Sequence, residues 1–406
     1  MALLRNRQYA LLFSGQLISM LGNSLFLIAL PWYVYLSTGS KADLAIVGFA
    51  QSLPGVSALF AGVFVDRWNK RKTLLGSDAI RFVLALAVGI VALFGWPFPW
   101  IVMLVLLLQF AGVCFGPAEI ALIPMVVGEE QVPAAMGINQ SGSAAAQLAG
   151  QVGGGALLTV LGAPLLFFLD GASFLVSVVS LLFIRAAEPP RRKTSTSFFA
   201  EWKEGLALVV RSKLIILVTA AALVTNFGLA AFDITLTAWV RGPLHGTAFW
   251  LGLVMGAFFV GVIGGGALLG MVTKRVSLRV TLMAGLLVAG ACIGSVGAFA
   301  DAYWTIGVLL VCGLSIGILN GSLGAMAVAV IPQQMRGRVF GLLGALSTIA
   351  TPLGMAVFGG LMVYIPLAAL FAVMGSLSVL SGLSFLLPVK DDLANLRSVE
   401  QNASTP

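Results

Sequence analysis

Apolar runs of roughly 20 or more residues recur along the whole chain, and they restrict its fold more than any motif does. At about 1.5 Å per residue, each such run can cross a hydrocarbon core ~30 Å thick. Twelve are read, centred near residues 23, 54, 85, 110, 149, 175, 227, 260, 289, 316, 350 and 377, the last two almost touching between Tyr364 and Pro366. A backbone amide in lipid has no water to pair with, so every run is expected to be helical. With 59% of residues hydrophobic and only 9% charged, a water-soluble domain would have to expose more apolar surface than it could keep dissolved.

The positive charges set the topology. With the N-terminus placed inside, 21 of the 23 Lys and Arg residues fall on the cytoplasmic side, and only Lys41 and Arg241 fall outside. Short loops rich in Lys and Arg stay cytoplasmic, and one helix more or fewer would scramble this alternation. An all-α polytopic protein of the inner membrane follows, with twelve spans and both termini inside. The net charge of +8 is then a matter of topology and needs no nucleic-acid partner.

Four segments are expected: six helices over 1–186, a cytoplasmic linker over 187–213, six more helices over 214–389, and a cytoplasmic tail over 390–406. Pro189 and Pro190 end the sixth helix. Beyond them Phe198, Phe199, Trp202, Leu206 and Val209 recur at helical spacing beside Glu201, Lys203 and Glu204, the pattern of a short amphipathic helix on the inner leaflet. The first apolar run is full length and lacks a small-residue cleavage site, so no cleaved signal is read there. Cys114, Cys292 and Cys312 lie in apolar runs without CxxC spacing, which suits packing residues and neither disulfides nor metal ligands.

Charge concentrates in one place. GVFVDRWNKRK, residues 62–72, holds five charges between Asp66 and Lys72. Gly62, Asp66, Arg67 and Arg71 have counterparts 208 residues later in Gly270, Lys274, Arg275 and Arg279, with the same internal spacing. Both sets lie between the second and third helices of their half. Two six-helix repeats of this kind place a substrate site near the bilayer midplane at the repeat interface.

The stretch resembles the signature loop of the major facilitator superfamily, Gly-x-x-x-Asp-Arg-x-x-Arg-Arg/Lys, and the resemblance covers essentially the whole chain. It implies an inner gate, in which the Asp meets the positive N-terminal end of the eleventh helix. Asp66 would then latch near Gly337 to Phe340, a charge–dipole contact of about 0.3–2 kcal/mol that can open again. The alternative reading is a cytoplasmic anchor with no gating role. Lys274 replaces the Asp in the second half, so the latch is expected on one side only.

A narrower likeness comes from GQLISMLGNSLFLIALPWYVYLSTGS at 15–40, SDAIR at 77–81, FGPAEIALIP at 115–124 and LDGASFLVS at 169–177. Together these are similar to the branch of macrolide-efflux and siderophore-exporter proteins among the drug:proton antiporters. Two elements depart from that pattern. The Gly-Pro-x-x-Gly-Gly element of the fifth helix reads Gly150-Gln151-Val152-Gly153-Gly154-Gly155, with Gln in place of Pro. The Arg-x-x-Gln-Gly stretch of the fourth helix is reduced to Gln109 between Leu106 and Phe110.

Polar groups within the spans mark candidate sites, because an ionisable side chain at a helix centre costs about 2.5–3.5 kcal/mol. Asn23 and Asn226 lie at the midpoints of the first and seventh helices. The resemblance puts those helices on the cavity wall; the other reading is a hydrogen bond to a neighbouring helix. Asp233, with no basic residue within a turn, either carries a proton during transport or makes a structural hydrogen bond. Glu119 and Asp170 are further proton-coupling candidates or helix-end packing residues. Asp78 and Arg81, three apart, read as a local ion pair supporting the signature loop. Gln140, Gln147 and Gln151 share one helical face that lines the cavity or packs on another helix, with Gly150 and Gly154 allowing close approach. His245 is read as a solvated loop residue.

No phosphate-binding lysine motif, metal cluster or nucleophile–base spacing is seen, so neither ATP-driven transport nor enzymatic chemistry is expected. The expectation is an alternating-access transporter, monomeric and surrounded by membrane lipid, that exports small amphipathic drug-like molecules in exchange for protons. A proton gradient supplies the energy, and no cofactor is needed. A lysophospholipid flippase and a siderophore or metabolite exporter of the same fold are the alternatives.

Overall fold

In the computed structural model, residues 3–184, 213–330 and 333–387 are described, and among them every regular element is a helix. All twelve apolar centres fall within these helical segments. The first span is α1 (Arg7–Thr38), opened by the Asn6 side chain, which accepts from the backbone N–H groups of Gln8 and Tyr9, and closed at Gly39 with φ 65°. The second is not a single helix. α2 (Lys41–Ser52) and α3 (Ala58–Arg67) are joined by a 3-10 turn over Leu53–Ser57, where Pro54 has no N–H to continue the α-helical ladder.

The third span is α4 (Lys70–Phe94), capped by Asn69, whose side chain accepts from the Lys72 N–H. The fourth is split into α5 (Phe98–Gly112) and α6 (Phe115–Val127), and the fifth and sixth are α7 (Val132–Leu161) and α8 (Ala163–Phe183). The seventh is split again, into α9 (Lys213–Leu229) and α10 (Phe232–Arg241). Then come α11 (Ala248–Thr273), α12 (Leu278–Ser295), α13 (Ala302–Val330), α14 (Gln333–Tyr364) and α15 (Leu367–Leu383). Among the described residues, 10 helical stretches are long and apolar enough to cross a membrane, and Thr348–Tyr364 of α14 is a shorter apolar helix.

By its contacts the chain divides into two compact units: Met1–Lys193 with Asp233–Gly256, and Thr194–Phe232 with Ala257–Pro406. The split in the seventh span coincides with that division, so α9 belongs to the second unit and α10 to the first.

Lipid offers helices no hydrophobic reason to associate, so close approach must supply the packing energy. In the first unit, Gly15 and Gly22 of α1 receive Ser180 and Ser173 of α8, while Gly150 and Gly154 of α7 lie over Ser24 and Ile28 of α1. A Cβ on Gly155 would stand 2.6 Å from the Gly252 Cα. Tyr9, Phe26, Phe167 and Phe174 fill the space between, all fully buried, with the Phe26 and Phe167 rings 5.2 Å apart. In the second unit, Gly261 and Gly265 of α11 rest on the carbonyls of Leu310 and Leu314, and Gly313 and Gly317 of α13 rest in return on those of Phe258 and Val262.

The repeat seen in the sequence has a structural meaning. Arg71 donates through Nε to the Leu181 carbonyl at 2.9 Å and through Nη2 to the Leu182 carbonyl at 2.6 Å, at the end of α8. Arg279 does the same in the second unit, donating to the Phe385 carbonyl at 2.9 and 2.6 Å and to the carbonyl of Leu387, just beyond α15. Each guanidinium closes the last turn of its half's sixth helix, where carbonyls lack intrahelical partners and the dipole is negative. Replacing either by Ala is expected to cost about 1.5–3 kcal/mol, the worth of hydrogen bonds to a charged group. Thermal unfolding in detergent checks this, with Arg71→Ala and Arg279→Ala shifting the midpoint alike.

Candidate transport site

The first unit brings three charged side chains together. Asp78 and Arg81 come from α4 and Asp170 from α8. Asp78 and Asp170 have no accessible surface. Arg81 Nη1 lies 3.6 Å from Asp78 Oδ1, an ion pair longer than a hydrogen bond. The guanidinium carbon lies 4.0 Å from the centre of the Phe174 ring and 6.0 Å from that of Phe115, within cation–π range of both. Its back lies against Gly112, where a Cβ would stand 3.5 Å from Nε.

Both carboxylates are short of partners. Neither oxygen of Asp170 accepts a hydrogen bond, and Arg81 Nε donates none. Asp78 has the Ser177 hydroxyl beside it, whose oxygen accepts from Gln16 Nε2 at 3.3 Å and whose O–H is thereby left to donate to the carboxylate. Asp170 interacts electrostatically with both Arg81 and Asp78, and it lies close to Gly22 of α1, where a Cβ would be 3.0 Å from Oδ1.

Glu119 of α6 is half-buried and interacts electrostatically with Asp78. Its Oε1 accepts from Asn139 Nδ2 at 3.4 Å, and Tyr9 donates to Asn139 Oδ1 at 2.9 Å. These polar groups tie α1, α6 and α7 together. Asn139 and Tyr9 were not singled out from the sequence; both occupy interior helical positions, and Tyr9's partners Ala135 and Asn139 lie more than a hundred residues away.

Asp233 stands elsewhere in the fold. The split of the seventh span puts it in the first turn of α10, at the positive end of a short helix, where an anion is favoured. It is exposed, and its backbone carbonyl accepts from Thr237 Oγ1 at 3.0 Å. In the other unit Asn226 is exposed near the end of α9 and has an interaction of its own. Asn23 is half-buried in α1.

The glutamine face of α7 is distinct from its glycine face. Gln140 and Gln147 are exposed, and Gln151 keeps a buried Oε1 that accepts no hydrogen bond, while Gly150 and Gly154 pack on α1. His245 is an exposed loop residue with φ 48°. Arg67 is exposed. The side chains of Gly62, Asp66 and residues 337–340 lie outside the described residues, as do the linker's amphipathic stretch and the tail. An apolar groove of about 450 Å³ beside α3 and α5, lined by Phe60, Phe64, Phe110 and Cys114, lacks the charged or amide side chains that would orient a ligand.

Stacked transmembrane helices in two units, broken spans, and charges buried between helices define a polytopic carrier rather than an enzyme. A family model described as transmembrane secretion effector matches residues 1–405, and the chain belongs to this family of major facilitator transporters. It is 24% identical to macrolide efflux protein A of Streptococcus pyogenes over 350 residues, covering 85% of this chain and 86% of that protein. It is 27% identical to the multidrug efflux pump Tap of Mycolicibacterium fortuitum over 360 residues, covering 84% and 85%. Among solved structures it superimposes on the nucleoside transporter NupG with a TM-score of 0.74 at 10% identity, covering 93% of this chain and 98% of that one. A bacterial homologue of the iron transporter ferroportin gives a TM-score of 0.73 at 16% identity, covering 95% and 99%. Both structures share the fold.

Proposed function

We propose that this chain exports small amphipathic molecules across the inner membrane by alternating access, as a monomer with both termini in the cytoplasm, in exchange for protons. The observation that carries the reading is its likeness, over most of both chains, to proteins named for macrolide and multidrug efflux. The polar groups of the spans agree with such a substrate. Asn23, Gln140, Gln147, Gln151 and Asn226 offer neutral amides that can orient a largely apolar molecule. Asp233, at a helix start within the seventh span, is the carboxylate offered for the proton.

Purified protein in acid-loaded liposomes, challenged with a macrolide, a cationic dye and a lysophospholipid, tests the proposal. The macrolide and the dye should each drive proton release, and Asp233→Asn should reduce that release to the liposome leak. Release that survives the substitution keeps proton exchange and takes Asp233 out of it. Movement of the lipid with no drug-driven release overturns the proposal in favour of a flippase.

A further inference from the structure

We infer that Asp78, Arg81 and Asp170 form a one-proton site in which the single guanidinium serves one ionised carboxylate at a time and the other carboxyl holds a proton. The inference rests on the proton-exchange reading above for its role in transport, but not for its existence.

The charge balance comes first. Two carboxyl groups without accessible surface share one cation, and neither oxygen of Asp170 accepts a hydrogen bond. A buried, ionised and unbonded carboxylate is far costlier than its neutral acid. Arg81 is 3.6 Å from Asp78 and interacts electrostatically with Asp170 as well, and a single guanidinium can neutralise only one of the two. Among the described residues, Arg71 lies further along α4, where the Leu181 and Leu182 carbonyls at the end of α8 hold it. From α1 Gln16 and Gly22 face α8, with Tyr33 further along against Phe167, and α6 adds another carboxyl, Glu119, near Asp78. With Asp78 ionised and Asp170 as the neutral acid, the trio sums to zero. When the Asp170 proton leaves, two carboxylates face one guanidinium and the trio carries a net charge of −1. That state is relieved by a returning proton or by a cationic substrate, and this competition is what exchange requires. Arg81 already interacts with both carboxylates, so a small shift of its planar fork suffices to change partner.

Sharing makes an unusual demand: removing either carboxyl must remove the proton. In Asp170→Asn the acid itself is gone. In Asp78→Asn the guanidinium turns to Asp170, which ionises. Infrared spectroscopy of protein carrying isotope-labelled aspartate, in an Asp233→Asn background, reads this directly. One protonated aspartic acid is expected at neutral pH, and its carbonyl band should vanish on adding either Asp78→Asn or Asp170→Asn. A band absent before those substitutions, lost with only one of them, or kept with both would overturn the inference, and the first outcome needs neither added variant to fold. The band together with failure of the native chain to release protons on substrate addition would sink proton exchange and leave this site standing. Release with no band would do the reverse.

Discussion

Arg81→Met should destabilise the protein by about 3–5 kcal/mol, the cost of leaving one partner of a buried ion pair without its counter-charge. Asp78 has no accessible surface, and apart from the Ser177 hydroxyl beside it the guanidinium is what offsets its charge. Methionine fills much of the space above Phe174 and Phe115, which confines the loss to the charge. A compensating Asp78→Asn on top of Arg81→Met should then recover most of it, because two apolar or neutral groups in place of a buried pair are often nearly neutral. Arg81→Lys is expected to fall between, since it keeps the charge but loses the guanidinium 4.0 Å from the centre of the Phe174 ring. Thermal unfolding in detergent, followed by the fraction of protein that stays monodisperse, orders the variants. If Arg81→Met unfolds at the native midpoint, the ion pair contributes nothing to the fold.

Gly313→Leu should cost at least the ~1–3 kcal/mol of ordinary overpacking, and in practice most of the folded yield. A Cβ on Gly313 meets the Phe258 carbonyl and stands 3.0 Å from the Val262 N, both backbone atoms that no rotamer change can move. Relief requires α11 and α13 to separate, which also breaks the reciprocal contacts at Gly261, Gly265 and Gly317. Gly307→Leu, six residues earlier on α13, is the control: a Cβ there meets nothing within 4 Å. The two variants should differ sharply in purified yield and unfolding temperature, and equal behaviour would mean that this seam adds nothing.

What could be read in advance follows the range of the physics. Twelve spans and the alternation of Lys and Arg depend on solvent alone, and each apolar centre lies in a helix. The break at Pro54 is also local chemistry, though the apolar run hides it. The break before Asp233 has no proline: the chain there reads Gly228-Leu229-Ala230-Ala231, with a glycine as its one weak helix former. A carboxylate read as lying past the centre of one long helix is thus a first-turn residue of a second, short one. Asp78 and Arg81 could be paired from their spacing, but Asp170 lies 92 residues further on, and only the packing of α8 on α4 brings it in. The glutamine stripe separated from the glycines of the same helix because the glycines alone allow the approach of α1.

Arg71 and Arg279 hold main-chain oxygens, not side chains. Such a clasp asks nothing of the spelling of the helix it closes; any residue presents the same carbonyl. Two copies of an ancestral six-helix gene could therefore drift apart at nearly every position and keep this joint intact, provided one arginine survived in each. A duplicated architecture can thus stay visible in space after its lettering has faded to a few positions of matching spacing.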